Sequence, residues 1–217
     1  MMSFSAVLFD LDGTLADTAP DLAYALNTLL QEQDFEPLPY EDIRPAASHG
    51  SVALLKLGFN ITAQDDNFKA LQKRFIEIYQ QNIDRETALF EGMDEVITKL
   101  EASNISWGII TNKPAFLTDP LVEKLGLVER AACVVSGDTT AHSKPHPAPM
   151  LHACNLIKHN PHDCLYIGDA KRDIEAGKNA RMKTITARWG YLGENDKPEN
   201  WQADAIIDHP SEILQWI

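Results

Sequence analysis

The feature that most constrains this chain is a short apolar run closing at once on two carboxylates: Ala6-Val7-Leu8-Phe9, then Asp10-Leu11-Asp12-Gly13-Thr14. A run without polar alternation, bounded by a turn signal, predicts a strand buried on both faces, as in a parallel sheet. Open α/β sheets place their ligand crevice at the carboxyl ends of the strands, where these carboxylates fall. While the backbone stays extended, residues two apart share a face, so Asp10 and Asp12 are expected to point the same way with Leu11 opposed. Like charges that close are unfavourable unless a cation or a proton compensates. An acidic turn is also a common way to end a strand, so the segment alone leaves structure and chemistry both open. A calcium loop of the helix–loop–helix kind is excluded, because its glycine would fall on Leu15 and its closing glutamate on Asp21.

The rest of the chain divides by texture. From residue 15 to 83 the apolar spacing is helical, with Leu22, Leu26, Leu29 and Leu30 on one face and Phe68, Leu71, Phe75, Ile78 and Tyr79 on another. Between them a short helix over 40–44, a loop over 45–51 and a helix over 52–57 are expected, and no strand. Beyond Phe90, strands at 107–110, 133–135, 164–167 and 184–187 alternate with helices, a further edge strand falls at 205–208, and a helix over 210–217 closes the chain. Such alternation predicts a doubly wound parallel sheet, a Rossmann-like α/β core built from 1–15 and 85–217, with an all-helical domain inserted over 16–84.

At 217 residues the length suits one large domain or two modest ones. A formal charge of −13 argues against a nucleic-acid or anionic-membrane partner and obliges any anionic substrate to find a local metal or basic cluster. No window is long and apolar enough for a membrane span, and no basic segment with a long apolar one opens the chain. Cys133, Cys154 and Cys164 lack metal-ligand spacing and read as reduced, buried thiols, so a cytoplasmic location is expected.

Four strand ends carry polar groups: Asp10 with Asp12, Thr111, Lys144 in the loop after a strand, and Asp169 with Asp173 one helical turn on. Singly each has a structural explanation: a strand-end hydroxyl, a solvated lysine, acidic residues favoured at a helix N-terminus. In a parallel sheet all of them face one rim. Together they supply a nucleophile, carboxylates for a hard cation and donors for a dianion.

In this ordered set the chain resembles the haloacid-dehalogenase-like hydrolase superfamily nearly end to end. Asp10-Leu11-Asp12-Gly13-Thr14 is similar to its first motif, Thr111 to its second, Ser143-Lys144-Pro145 to its third and Gly168-Asp169-Ala170-Lys171-Arg172-Asp173 to its fourth. The helical insert resembles the cap of the phosphoglycolate-phosphatase branch. Within that branch, residues 107–114, Arg188-Trp189-Gly190-Tyr191 and Asn200-Trp201-Gln202-Ala203-Asp204 are most similar to phosphatases of N-acetylmuramic acid 6-phosphate.

The resemblance implies Mg²⁺-dependent hydrolysis of a small phosphate ester through an aspartyl-phosphate, with N-acetylmuramic acid 6-phosphate and 2-phosphoglycolate as the substrates to test. Asp10 is then the nucleophile and Asp12 the acid and base. Thr111, Asn112 and Lys144 face the phosphoryl group, and Asp10, the Asp12 carbonyl, Asp169 and Asp173 form the metal site. Arg44 and His49, in the insert, are candidates for reading a substrate carboxylate, against plain surface roles for both. A monomer is expected. Three departures from the pattern stand out: Ala170 in place of a small hydroxyl residue or aspartate, Arg181 where a glycine usually ends the helix, and Ser48-His49-Gly50-Ser51 in place of a more glycine-rich loop. A phosphosugar mutase of the same fold shares all four motifs and is the enzymatic rival. A non-enzymatic phospho-accepting signalling module is the other, though it would need neither the insert nor this length.

Overall fold

The structure is a computed structural model and describes residues 4–217. In chain order the elements are β1 (Ala6–Phe9), β2 (Ala16–Asp17), α1 (Ala19–Glu32), α2 (Tyr40–Ala47), α3 (Gly50–Phe59), α4 (Phe68–Gln81), β3 (Ala88–Leu89), α5 (Met93–Ala102), β4 (Ser106–Ile110), α6 (Ala115–Lys124), β5 (Cys133–Val135), α7 (Ala148–Ile157), β6 (Cys164–Gly168), α8 (Lys171–Asn179), β7 (Lys183–Ala187) and β8 (Ala205–Ile207). They form two compact units. One runs to Ala16 and resumes over Leu89–Ile217; the other is Asp17–Ala88.

The first unit is an α/β fold around a six-stranded sheet of order β5-β4-β1-β6-β7-β8, every pairing parallel. All four residues of β1 are buried, because the strand has a neighbour on each side and helices cover the sheet. From β1 the chain steps to β4 and β5, then returns to β6 on the other side and continues to β7 and β8. With right-handed crossovers this reversal puts the two sets of helices on opposite faces and opens a crevice at β1. Register fixes its floor: Phe9 lies level with Ile109 on one side and Ile167 on the other. Asp10, Thr111 and Asp169 therefore leave three adjacent strands at nearly the same height. Cys133, Cys154 and Cys164 are buried free thiols in the core beneath, and burial pushes Cys133 up to about 12.

The second unit packs α1 against α2, α3 and α4, with Leu22, Leu26, Leu29 and Leu30 inward from α1 and Phe68, Leu71, Phe75, Ile78 and Tyr79 inward from α4. Three details differ from the sequence reading. The loop expected over 45–51 shrinks to Ser48 and His49, because Ile43 and Ala47, one turn apart and buried, carry α2 through Pro45. Residues 85–88 belong with the helices, since the buried Asp21 carboxylate accepts from Glu86 N at 3.1 Å, Thr87 N at 3.0 Å and Thr87 Oγ1 at 2.7 Å. The insert is not strand-free either: β2 and β3 pair as a separate two-stranded sheet, too short for any periodicity to announce. In the first unit the helix expected over 210–217 is a run of 3₁₀ turns at Pro210–Gln215, with only Pro210 and Ile213 buried and therefore no apolar stripe to hold an α-helix.

Candidate active site

The turn after β1 gives its two carboxylates different partners. The extended backbone ends at Phe9, and Leu11 begins a turn in which its carbonyl accepts from Leu15 N and Ala16 N at 3.1 and 2.9 Å. Gly13 sits at φ +83°, where a Cβ would strike the Asp169 carboxylate and come within 2.9 Å of the Tyr191 ring. Asp10 and Asp12 each meet a lysine of their own. Asp10 Oδ1 lies 2.8 Å from Lys144 Nζ, while Asp12 Oδ1 pairs with Lys113 Nζ.

Lys144 is the hub of the buried half. Its ammonium, wholly inaccessible, contacts Asp10 Oδ1 at 2.8 Å and Asp173 Oδ1 at 2.7 Å, and it donates to the Ile110 carbonyl at 2.8 Å and the Tyr166 hydroxyl at 2.9 Å. Tyr166 in turn donates to Ile110 O at 3.0 Å. The Lys144 backbone is bracketed by Asn112, whose Oδ1 accepts from Lys144 N at 2.9 Å and whose Nδ2 donates to Lys144 O at 3.0 Å. Both ends of the Asn112 amide thus engage the lysine's peptide groups. Thr111 is buried at the end of β4, and its Oγ1 accepts from Lys113 N at 3.1 Å.

Asp169 follows β6 and is 1% exposed. Its Oδ2 accepts from Tyr191 N at 2.8 Å. Asp173, in the first turn of α8, accepts from Ala170 N at 3.0 Å, a bond that ties the helix start to the strand end. Gly168 permits this approach, since a Cβ there would meet Asp173 Cγ at 2.6 Å.

Burial raises Asp10 to about 6, with Asp173 adding to it and Lys144 and Arg172 opposing it. Burial likewise raises Asp169 to about 7, helped by Asp10 and Asp173 and opposed by the Tyr191 N–H. Arg172 works against burial too, and Asp173, Asp10 and Asp169 hold its guanidinium above the ordinary range. Ligand oxygens of Asp10, Asp169 and Asp173 lie within 4.8 Å of one another. Three close, buried carboxylates, all offering oxygen, fit a small hard cation. The Asp12 carboxylate pairs with Lys113.

Of the residues expected at this site, Asp10, Thr111, Asn112, Lys144, Asp169 and Asp173 fall within one connected group of contacts, with Asp12 in the same turn as Asp10. Arg44 and His49 lie in the helical unit, Arg44 half-buried beside the Tyr40 phenol and His49 exposed between α2 and α3. Sequence reasoning missed Tyr166, Arg172 and Lys113. Tyr166 lies within the strand expected over 164–167 and Arg172 within the fourth motif, and neither position by itself marks a role at the site. Lys113 did carry a signal, standing two residues beyond Thr111. The residues of the finer resemblance hold backbone in place. Trp189 Nε1 donates to Thr14 O at 3.0 Å, and Asp204 Oδ2 accepts from Thr184 N at 2.9 Å.

Residues 7–187 match the haloacid dehalogenase-like hydrolase family. A Pseudomonas putida protein named N-acetylmuramic acid 6-phosphate phosphatase is 40% identical over 216 residues, covering 100% of this chain and 97% of its own length. A Xanthomonas campestris protein named phosphoglycolate phosphatase is 38% identical over 213 residues, covering 97% and 95%. A crystal structure of "a predicted phosphoglycolate phosphatase" from Haemophilus somnus superposes with a TM-score of 0.88 at 26% identity, covering 99% of this chain and 98% of the other. The chain belongs to the haloacid dehalogenase-like hydrolases. Within that family it is a phosphatase. Among the described residues no helix is long and apolar enough to cross a membrane.

Proposed function

We propose that the chain hydrolyses a small phosphomonoester through a phosphoenzyme on Asp10, and that the ester is N-acetylmuramic acid 6-phosphate. The observation that carries the chemistry is the buried Asp10 carboxylate at the end of the central strand, held by Lys144 within a three-carboxylate cluster. Asp10 has two donors on Oδ1, Lys144 Nζ and Leu11 N at 2.8 Å, which fix the carboxylate and direct Oδ2 toward phosphorus. As the bond from Asp10 to phosphorus forms, the bond to the ester oxygen breaks and Asp12 gives that oxygen a proton. Asp12 then takes a proton from water, the water oxygen attacks phosphorus, and Asp10 is released with phosphate. A nucleophile must be ionised while an acid must hold a proton; the pairing of Asp10 with Lys144 suits the first role, and the second falls to Asp12.

Thr111, whose oxygen already accepts from Lys113 N, has its hydroxyl proton to give to a phosphoryl oxygen. Asn112, expected at the substrate, is assigned instead to holding the Lys144 backbone. Asp10, the Asp12 carbonyl and Asp169 are the residues that would hold Mg²⁺, with Asp173 supporting them; when bound, the ion neutralises charge on the phosphoryl oxygens. The helical unit takes the part of a cap that selects substrate, and Arg44, whose planar donors suit a carboxylate, is its leading candidate, with His49 second.

The substrate choice is supported by the 40% identity to the Pseudomonas putida phosphatase along the full chain. The test is release of inorganic phosphate, with Mg²⁺ present, from N-acetylmuramic acid 6-phosphate, 2-phosphoglycolate, a hexose 6-phosphate and an aryl phosphate. The muramic ester should give the highest kcat/KM. A higher value for 2-phosphoglycolate reassigns the substrate, and isomer formation in place of phosphate release points to a mutase. Asp10→Asn should abolish turnover while the protein stays folded, and activity near wild type would refute the phosphoenzyme.

A further inference from the structure

We infer that Lys113 is a positioning residue for Asp12, an inference that rests on the assignment of Asp12 as acid and base. The two carboxylates of one turn are shared between two lysines of different situation. Lys144 is wholly buried and engages Asp10, Asp173, Tyr166 and Ile110 at once. Lys113 pairs with Asp12, and their side chains are 7% and 17% exposed, so this pair too is formed largely out of water.

The base of Lys113 is fixed at three points. Its N–H donates to Thr111 Oγ1 at 3.1 Å, and its carbonyl accepts from Gly137 N at 2.8 Å and from Thr118 Oγ1 at 3.0 Å. Gly137 is packed so closely under the loop that a Cβ would lie 2.7 Å from the Asn112 carbonyl carbon. A long, flexible stem is thus held at its root by backbone bonds and at its tip by Asp12, which is more order than a surface lysine has. The chemistry gives that order a purpose. A general acid must lie within hydrogen-bond reach of the leaving oxygen and keep that direction. An ammonium at Oδ1 fixes the rotamer of Asp12, so that Oδ2 points one way rather than many. The bond from Lys113 N to the Thr111 hydroxyl joins this positioning group to the residue assigned to the phosphoryl oxygens.

Lys113→Met keeps the stem and removes the charge. With an alkyl phosphate, whose leaving oxygen needs a proton, kcat should fall about 10- to 100-fold, part of the roughly 10²–10⁴-fold that a general acid contributes. With an aryl phosphate the loss should be much smaller, about threefold. KM should move by no more than about twofold for either ester, because Lys113 acts through Asp12 and not on the phosphate. Lys113→Arg should recover part of the alkyl-ester loss. In an Asp12→Asn background, Lys113→Met should add nothing further for the alkyl ester, whereas a merely structural lysine would add its own loss. Melting temperatures of all variants separate these effects from unfolding. Equal losses on both esters, a KM increase of tenfold or more, additive losses in the double variant, or no loss at all would overturn the inference. The parent reading fails in another way: Asp12→Asn alone would slow both esters equally with Lys113 intact.

Discussion

Replacing Gly190 by alanine sets the position of Asp169 against the stability of the fold. A Cβ at Gly190 would lie 2.6 Å from the Gly13 carbonyl oxygen and 2.7 Å from Asp169 Cγ, with Asp169 Cβ nearer still. Carbon atoms in contact settle no closer than about 3.5 Å, so, measured from Asp169 Cβ, Asp169 or the Gly13 turn has to withdraw by about 1.3 Å. Neither is a loose chain end. Asp169 is 1% exposed and held by Tyr191 N at 2.8 Å, and Gly13 is committed to φ +83°. Overpacking of this kind costs roughly 1–3 kcal/mol, which for a chain of this size lowers the melting temperature by about 2–12 °C. Displacing a catalytic group by about 1 Å can cost about 10²-fold in rate, so the catalytic loss should exceed what the stability loss explains. We expect kcat/KM for the best phosphomonoester to fall about 10- to 100-fold at 25 °C, with a weaker apparent affinity for Mg²⁺ and a fully folded protein at the assay temperature. Phosphate release across a Mg²⁺ titration, with thermal denaturation of the same samples, reads both quantities. Activity within twofold of wild type at an unchanged Mg²⁺ requirement would refute the reasoning, since the strain would then be relieved away from Asp169.

Asp12→Asn should slow hydrolysis of alkyl phosphates by about 10²–10⁴-fold and of an aryl phosphate far less; an equal loss on both counts against protonation of the leaving group. Chelation should abolish turnover, Mg²⁺ should restore it, and Ca²⁺ should do so poorly because its longer bonds and looser geometry misplace the nucleophile; full activity in chelator rules the scheme out. Asp10 near 6 and Asp169 near 7 both lie above the unfolded value of about 3.9, so the folded chain keeps protons that the unfolded chain has lost, and stability falls as pH rises from roughly 4 to 7. Metal-free protein should therefore melt higher at pH 5.5 than at pH 7.5, with Mg²⁺ flattening the difference, and a metal-free melting temperature that climbs over that interval would contradict the assignment. Arg181 is exposed and sits at φ 65°, a conformation that strains a non-glycine residue by about 1–2 kcal/mol; after the greater entropy loss of glycine, Arg181→Gly should stabilise by about 0.5–1 kcal/mol, and a lower melting temperature would show the strain to be absent.

Much of the fold was legible because its signals are local and repeated. β1 is an unbroken apolar run, and such a run reads as buried wherever it lies. Helical spacing in α1 and α4 places the same residues inward that the structure buries. What escaped the sequence depends on single long-range bonds. Nothing in the spacing around Thr87 indicates that a carboxylate at Asp21 will gather its N–H and hydroxyl. The closing segment takes 3₁₀ turns where a helix was expected, since among Pro210–Gln215 only Pro210 and Ile213 are buried.

The site shows the same division more sharply. That four strand ends would meet follows from parallel topology, since every strand of such a sheet delivers its last residue to one rim. Which charge would meet which does not follow, because partners are chosen by turn geometry. The chain turns at Leu11, and Asp10 pairs with a buried lysine while Asp12 pairs with one nearer water. Tyr166 and Arg172 matter for a related reason, since burial makes the balance of charge decisive. Asp10, Asp169 and Asp173 face Lys144 and Arg172, three negative charges against two positive, at a rim where desolvation penalises every unmatched one. Protons answer that imbalance at low pH, as the raised values of Asp10 and Asp169 record. At neutral pH a divalent cation, on the proposed reading, would answer it better and leave a net positive site for a phosphate dianion despite the −13 charge of the whole chain. The rim is short of one positive charge, so in the proposed mechanism metal binding and then anion binding would both follow from the same arrangement.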